Sequence, residues 1–346
     1  MPTDIGKPLP AFLQRLWTEE HADVMEVKAA MLAGIREFFI SDGWLEVTPV
    51  PGLTTFAGAC EDFSTLFALD YFGRTAHLIQ TGQQHLELLV GGGRFDKVFA
   101  VNQSFRADKR FESRRLTSFT LIEGEARNLA LSDIQDAQER LLRAVTHAAT
   151  KCSSFSRFAR RDSWLDTVAE GRLPRVTYSE AIGELSARGF AIGFGDEISG
   201  AAERLLTDLH GPMFVTHFPA EHKFFTMKRA DDHNMTLSSD LLLPGVGEVA
   251  GSGQREDDAE RLVRSLDEFL GDESRRRELR ASGVDDGDAA ASFAWYLALR
   301  AASPIVHSGF GVGFERLVQA VCGLGSIADA ADFPRSATQL SPDEAA

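Results

Sequence analysis

Three cysteines in 346 residues, Cys60, Cys152 and Cys322, leave little room for covalent or metal scaffolding. Their odd number and wide spacing argue against a disulfide frame or a Cys-based zinc site, and point to reduced, cytoplasmic thiols. No apolar run reaches the roughly 18 residues of a membrane-spanning helix. The first stretch, MPTDIGKPLPAF, lacks the basic region and apolar core of a secretory signal. Internal repeats, low-complexity tracts and Gly/Ser linkers are all missing. Basic residues are in deficit: Lys+Arg 36 against Asp+Glu 51 gives a net charge of −15. That balance disfavours a non-specific nucleic-acid coat, because phosphate binding is dominated by Lys and Arg, although a local basic patch can coexist with an acidic total.

What is present is ordinary for a globular protein: 44% hydrophobic and 25% charged residues. A prior of roughly 150 residues per domain suggests about two domains, yet nothing marks a boundary between them. Residues 1–21 read as an arm. In HADVMEVKAAMLAGIREFFISDGW, Val24, Val27, Met31, Ile35 and Phe38 recur at helical spacing, with Gly43 as the stop. LEVTPVPGL reads as extended. STLFALDYF, AHLIQTG, KVFAVNQSF and FTLIEGEA have the lengths and alternation of antiparallel strands. LSDIQDAQERLLRAVTHAATKC reads as an amphipathic helix capped by Ser132, and YSEAIGELSARG as a shorter one. MFVTHFP and FFTMKRA read as strands, residues 256–282 as charged helix, and SFAWYLALRAA as a further helix. Helices and strands mix without regular alternation, which predicts an α+β fold on an antiparallel sheet. Residues 337–346 read as a frayed tail.

Three segments carry chemistry. FRADKRFESRRLTSF, residues 105–119, joins a strand end to a basic loop with Arg114 and Arg115 and returns through Phe119. Arginine suits bidentate capture of phosphate, and an aromatic on the returning strand can stack on a base; the bland reading is a surface hairpin with solvated arginines. GVGEVAGSGQRE, residues 245–256, is rich in small residues that let a ligand approach the backbone. Asp240 and Glu248 flank its turn with spacing that can bring both carboxylates to one side, a hard donor set suited to Mg²⁺ on phosphates. GFGVGFERL, residues 309–317, has alternating glycines but not the context of a dinucleotide loop. Its Glu-Arg pair inside an apolar turn calls for a partner or a ligand.

Together these segments resemble the three signature motifs of the class II aminoacyl-tRNA synthetases. The likeness is to the asparaginyl/aspartyl branch, and within it to asparaginyl-tRNA synthetase and its stand-alone relative, the archaeal-type asparagine synthetase. It spans about residues 22–336: LEVTPV with Pro49 resembles motif 1, residues 105–119 motif 2, and GFGVGFER motif 3. ACEDFSTLFALDYF, LIQTGQQHLE, FPAEHKFF, LLLPGVGEVAGSGQRE and AWYLALR are similar to blocks of this branch. The resemblance implies one catalytic domain over residues 22–336, ATP and Mg²⁺ as cofactors, and a homodimer built on the motif 1 helix. Core packing within one subunit explains that helix equally well.

Residue by residue, the resemblance implies that Arg106 binds the ATP α-phosphate and Asp108 faces the adenine amino group. Arg115 would hold the γ-phosphate, Phe119 lie under adenine, and Arg316 cover the ring and phosphate tail. Asp240 and Glu248 correspond to the Mg²⁺ carboxylates. In the amino-acid pocket, Glu61 and Glu123 match acids that hold the ammonium group, and Gln83 a glutamine on the substrate backbone. Arg255 matches the reader of the side-chain end. Leu86 stands where aspartyl enzymes carry lysine, and Glu87 is placed to accept from a side-chain amide. The sequence departs from the branch at Cys60, Asp62 and Phe63, at Gln84 and His85, at Ser118, at Arg115 in place of a loop histidine, and at His217. These departures border the substrate pocket and bear on the amino acid and the acyl acceptor.

The functional expectation is an AMP-forming ligase that adenylates aspartate or an aspartate-like acid and passes the acyl group to ammonia. About twenty residues precede the motif 1 helix, against roughly a hundred for the anticodon-binding barrel of this branch. With the acidic charge, this weighs against tRNA as partner in the sequence reading. Charging of tRNA, acyl transfer to another small amine, and a non-catalytic amino-acid or nucleotide sensor stand as alternatives.

Overall fold

The computed structural model describes residues 11–59, 61–109, 114–158, 164–232 and 234–340. The chain opens with α1 (Ala11–Arg15) and α2 (Glu19–Ser41), then β1 (Leu45–Glu46), β2 (Leu53–Thr54), α3 (Phe56–Ala59), β3 (Ala68–Tyr71), β4 (Arg74–Leu78) and α4 (Gln83–Gly91). The hairpin β5 (Lys97–Phe105) and β6 (Ser118–Arg127) follows, then α5 (Leu131–Lys151), α6 (Trp164–Glu170), β7 (Arg175–Thr177), α7 (Tyr178–Ala187), α8 (Gly200–His210) and β8 (Met213–Thr216). The hairpin β9 (Ser238–Leu243) and β10 (Gly247–Gln254) leads into α9 (Ala259–Gly271), α10 (Glu273–Ala281), α11 (Asp286–Ser292) and α12 (Ala294–Ala302). The chain closes with β11 (His307–Gly313), α13 (Phe314–Cys322) and α14 (Ile327–Ala330).

Eight strands form one sheet in the order β1-β5-β6-β11-β10-β9-β8-β7. Its inner pairings are antiparallel, and the two edges pair in parallel, β1 on β5 and β7 on β8. A separate antiparallel sheet runs β2-β4-β3. This is the α+β, antiparallel-dominated single catalytic domain expected of a class II synthetase. Strand alternation decides which face does what. On β6, Ile122 and Ala126 join a core with α2, α5 and α13, while Phe119, Leu121, Glu123 and Glu125 line a cavity on the opposite face.

Thr18 caps α2 by accepting from the His21 N–H, and Glu19 and Glu20 sit at its positive end. The stripe Val24, Val27, Met31, Ile35 and Phe38 is buried within the chain, against α5 and the sheet, leaving Met25 and Ile40 exposed on other faces. Part of the expected N-terminal arm is docked structure: α1 ends at Arg15, which donates to the Ala331 carbonyl at 3.1 Å. Residues 1–10 of that arm, the end of the expected tail at 341–346, and Cys60 lie outside the described residues. Cys152 and Cys322 are free thiols.

Three local expectations need correction. Ala130, not Ser132, is the N-cap of α5; Asp133 reaches back and accepts the Ala130 N–H at 2.9 Å, which leaves Ser132 inside the first turn. FFTMKRA forms only isolated bridges, Met227 to Arg255 and Arg229 to Thr236, because its phenylalanines turn into an aromatic cluster with Phe293 and Tyr296 instead of alternating across a sheet. The charged stretch 256–282 is two helices, broken at Asp272, whose carboxylate caps α10 at the Arg275 N–H. Among the described residues, no helix is long and apolar enough to cross a membrane.

Candidate active site

A cavity of about 580 Å³ opens on the sheet face away from α2 and α5. Its floor is nearly bare backbone. The cross-strand pairs Gly253 with Gly309 and Gly251 with Gly311 put glycines side by side on β10 and β11. The alternating glycines of the third segment are therefore a strand device: each second residue faces the cavity and carries no side chain. Gly309 is indispensable to the layout, since a Cβ there would lie 1.9 Å from Glu125 Oε1.

Cations converge over this floor, each held by a carboxylate. Arg106, at the end of β5, donates to Glu61 and sits 5.4 Å over the Phe119 ring, with its buried Nε lacking a partner among the described residues. Across the loop, Arg115 pairs with Asp108. Arg114 reaches Glu203 of α8 at 2.6 Å and the Val246 carbonyl at 2.9 Å. Arg316, in the first turn of α13, donates to the Glu248 carbonyl at 2.8 Å and lies 3.4 Å from its carboxylate. Burial pushes the Arg316 pKa down, as do the charges of Arg106 and Arg114, with Glu248 opposing. Its neighbour Glu315 turns away from the cluster to accept the Thr120 N–H at 2.9 Å. Four guanidinium groups around one cavity, each balanced by a carboxylate, supply directed donors suited to a polyphosphate.

Asp240 and Glu248 do share one face. Asp240 pairs in register with Gly251, and a bulge between Glu248 and Ala250 shifts the alternation so that Glu248 points to that same side. A Cβ on Gly251 would lie 3.6 Å from Asp240 Oδ1 and 3.7 Å from Glu248 Oε1. Lys223 takes the Asp240 carboxylate at 2.8 Å. Burial and the Glu248 charge still push Asp240 up to about 6. Burial also raises Glu248, but Arg316, Lys223, Arg106 and Arg114 outweigh it and hold that group below the ordinary range. No cluster of three or more metal-ligating side chains occurs among the described residues. Two hard carboxylates fit Mg²⁺, which uses one or two such ligands and takes the rest from phosphates and water.

At the other end of the cavity, Arg255 and Glu125 form a buried ion pair, 3% and 2% exposed, with Nε and Nη2 both on Glu125 Oε1. Arg255 Nη1 also lies 3.2 Å from Met227 Sδ. Burial, with the Glu87 charge, pushes the Glu125 carboxyl up to about 7 against the pull of Arg255. Glu123 lines the wall with both oxygens engaged by Thr81, the Gly82 N–H and Asn102. Gln83 lines the cavity from the start of α4. Gln84 does too, with neither amide atom partnered among the described residues.

Arg106, Asp108, Arg115, Phe119, Glu61, Gln83, Glu123, Asp240, Glu248, Arg255 and Arg316 thus all line one cavity. Glu87 does not: it lies one layer behind Gln83, where its acceptors are taken by Gln83, Tyr296, Arg300 and His307. The acid that meets Arg255 at the cavity wall is Glu125, which the sequence reading passed over. Strand alternation in FTLIEGEA offered the signal, because Glu123 and Glu125 share a face. Lys223 and Glu203 were also missed; each reaches the site from a separate element, and no spacing rule connects them to it.

The model of tRNA synthetases class II (D, K and N) matches residues 11–337. The asparagine–tRNA ligase of Thermococcus gammatolerans is 37% identical over 326 residues, 93% of this chain and 70% of that protein. That of Pelotomaculum thermopropionicum is 30% identical over 335 residues, 95% and 73% of the two chains. The crystal structure of asparaginyl-tRNA synthetase from Pyrococcus horikoshii complexed with asparaginyl-adenylate superposes with a TM-score of 0.84 at 34% identity, covering 97% of this chain and 74% of that one. The Entamoeba histolytica asparaginyl-tRNA synthetase in complex with asparaginyl-adenylate gives 0.76 at 25% identity, with 96% and 72% covered.

Proposed function

This chain belongs to the class II tRNA synthetases (D, K and N), and we propose that within that family its residues 22–336 activate asparagine with ATP and pass the asparaginyl group to tRNA. The observation that carries the choice of amino acid is the buried Arg255–Glu125 pair at the cavity end. Arginine offers donors and glutamate an acceptor, which together match the carbonyl and NH₂ of a side-chain amide. A carboxylate would meet Glu125 charge to charge. Asparagine therefore fits as the acid activated, where aspartate as substrate and asparagine as amide product had been expected. The tRNA acceptor is supported by the named relatives, which are ligases of tRNA; ammonia has no comparable support.

In this reading the asparagine carboxylate attacks the ATP α-phosphorus, the bond to pyrophosphate breaks, and pyrophosphate leaves with the electron pair. Arg106 and Arg316 stabilise the charge that grows on the α-phosphate. Arg115 and Arg114 hold the outer phosphates, Phe119 and Asp108 the adenine, and Glu61 with Glu123 the ammonium group. Asp240 and Glu248 would hold Mg²⁺, which neutralises phosphate charge. The acceptor hydroxyl then attacks the acyl carbon and AMP leaves. The family's homodimer belongs to the proposal as well, with Met25 and Ile40 as the apolar residues of α2 left for a partner.

The acceptor is tested by incubating the full chain with ATP, Mg²⁺ and radiolabelled asparagine, adding total tRNA in one arm and ammonium or simple amines in the other. Label stable on tRNA is the expected result. AMP release and a new amide only in the amine arm would overturn it.

A further inference from the structure

Four donors converge on one buried carboxylate behind the cavity wall. Glu87 Oε2 accepts from Tyr296 Oη at 2.7 Å, Arg300 Nη2 at 2.7 Å and His307 Nε2 at 2.9 Å. Its other oxygen, Oε1, accepts from Gln83 Nε2 at 2.9 Å. Gln83 Nε2 also donates to Thr226 Oγ1 at 3.3 Å, so both of its N–H bonds are taken by protein. The Gln83 Oε1 has no partner among the described residues, and Gln83 lines the cavity whereas Glu87 does not.

We propose that Glu87 is a positioning residue acting through Gln83: it claims the amide NH₂ and so fixes the Gln83 carbonyl toward the cavity, as an acceptor for the α-ammonium group of the bound amino acid. A terminal amide can turn over and present either its donor or its acceptor end. A carboxylate facing it removes the choice, because a carboxylate only accepts. Burial alone would raise the Glu87 carboxyl, but the His307 hydrogen bond and the charges of His307, Arg300 and Arg255 outweigh it and keep the group ionised. Tyr296, Arg300 and His307 thus hold Glu87 for this task, from α12 and β11, and none of the three lines the cavity. The Arg255 N–H donates to the His307 carbonyl at 3.0 Å, so the same strand also anchors the residue at the side-chain end. An unheld glutamine would offer NH₂ to an ammonium group, donor against donor, and the buried ion-pair network behind the cavity wall prevents that.

This inference rests on the cavity being an amino-acid site, so the wild-type chain is examined first for which amino acid it binds. The test measures equilibrium binding of that amino acid, of its analogue lacking the α-amino group (succinamate for asparagine), and of ATP. Glu87→Gln replaces the carboxylate with an amide that can donate to Gln83 and let it turn. The dissociation constant of the amino acid is expected to rise about 10- to 100-fold, with succinamate and ATP unchanged. Thr226→Val leaves the Glu87 ion pairs intact and removes the acceptor of the other Gln83 N–H; a smaller rise with the same selectivity is expected, and this variant decides alone if Glu87→Gln does not fold. Equal weakening of the amino acid and its des-amino analogue, or no weakening of either, overturns the positioning role. Failure of wild type to bind asparagine while binding another amino acid overturns the substrate reading instead, and the pair of variants is then read with that amino acid.

Discussion

Arg316→Ala is expected to lower amino-acid-dependent pyrophosphate exchange by about 10²–10³, the cost of removing one preorganised donor from a developing negative charge. Its guanidinium stands where three further arginines converge, and it is held there by the Glu248 carbonyl and carboxylate. Because Glu248 owes its lowered pKa first among its charged neighbours to Arg316, the substitution also lets the Glu248 carboxyl rise toward the ordinary range. The loss therefore falls on both sides of the phosphate site, on the direct donor and on the carboxylate suited to Mg²⁺. The side chain is about a quarter exposed, so the fold is expected to survive. Exchange assays beside a thermal melt check the result: full activity would remove Arg316 from the phosphate site.

Glu125→Leu is expected to cost about 3–5 kcal/mol of stability, because it strands the Arg255 cation in a dry interior. Glu125 is the partner that hydrogen-bonds Arg255, with the Glu87 charge acting from farther off, and little solvent reaches either member of the pair. Replacing both, as Glu125→Leu with Arg255→Met, removes the uncompensated charge and is expected to recover most of that loss. Activity should not return with it, since neither variant can read a side-chain amide. Denaturant melts of the two single variants and the double, run beside exchange assays, separate the effects. A double variant as unstable as the sum of the singles would mean that the pair does not act as a unit. Gly309→Ala provides an independent approach: its Cβ would overlap Glu125 Oε1 and displace the same carboxylate without changing its chemistry.

Much of the cavity end proposed to hold phosphate was legible in the sequence because its residues sit on short, regular units. Arg106 ends a strand, Phe119 begins the next, Gly309, Gly311 and Gly313 alternate, and Arg316 opens a helix; strand and turn periodicities place such residues without knowledge of the rest of the fold. The end proposed for the amino acid was harder to read for a physical reason. Gln83 and Glu87 are one helical turn apart, so spacing alone allows both to face the substrate. That Glu87 faces away is decided by Tyr296, Arg300 and His307, more than two hundred residues later. The same holds for Lys223 on Asp240, where the cation comes from an irregular stretch whose phenylalanines looked like a strand. The β-bulge at Val249 makes the opposite point: plain alternation cannot say which side Glu248 takes, and one extra residue in the ladder decides it.

The most direct measurement is pyrophosphate exchange by the purified chain with ATP and Mg²⁺, asparagine against aspartate, between pH 6 and 8. Glu125 is pushed up to about 7, so it is mostly charged at pH 8 and largely protonated at pH 6. Above that pKa the ionised Glu125 cancels the Arg255 charge and meets a substrate carboxylate charge to charge; below it the end carries the net positive charge of Arg255 and tolerates one. Exchange with asparagine is predicted to dominate at pH 8, and the preference over aspartate to shrink as the pH falls. Exchange that prefers aspartate throughout, or that occurs with neither amino acid, would contradict the account.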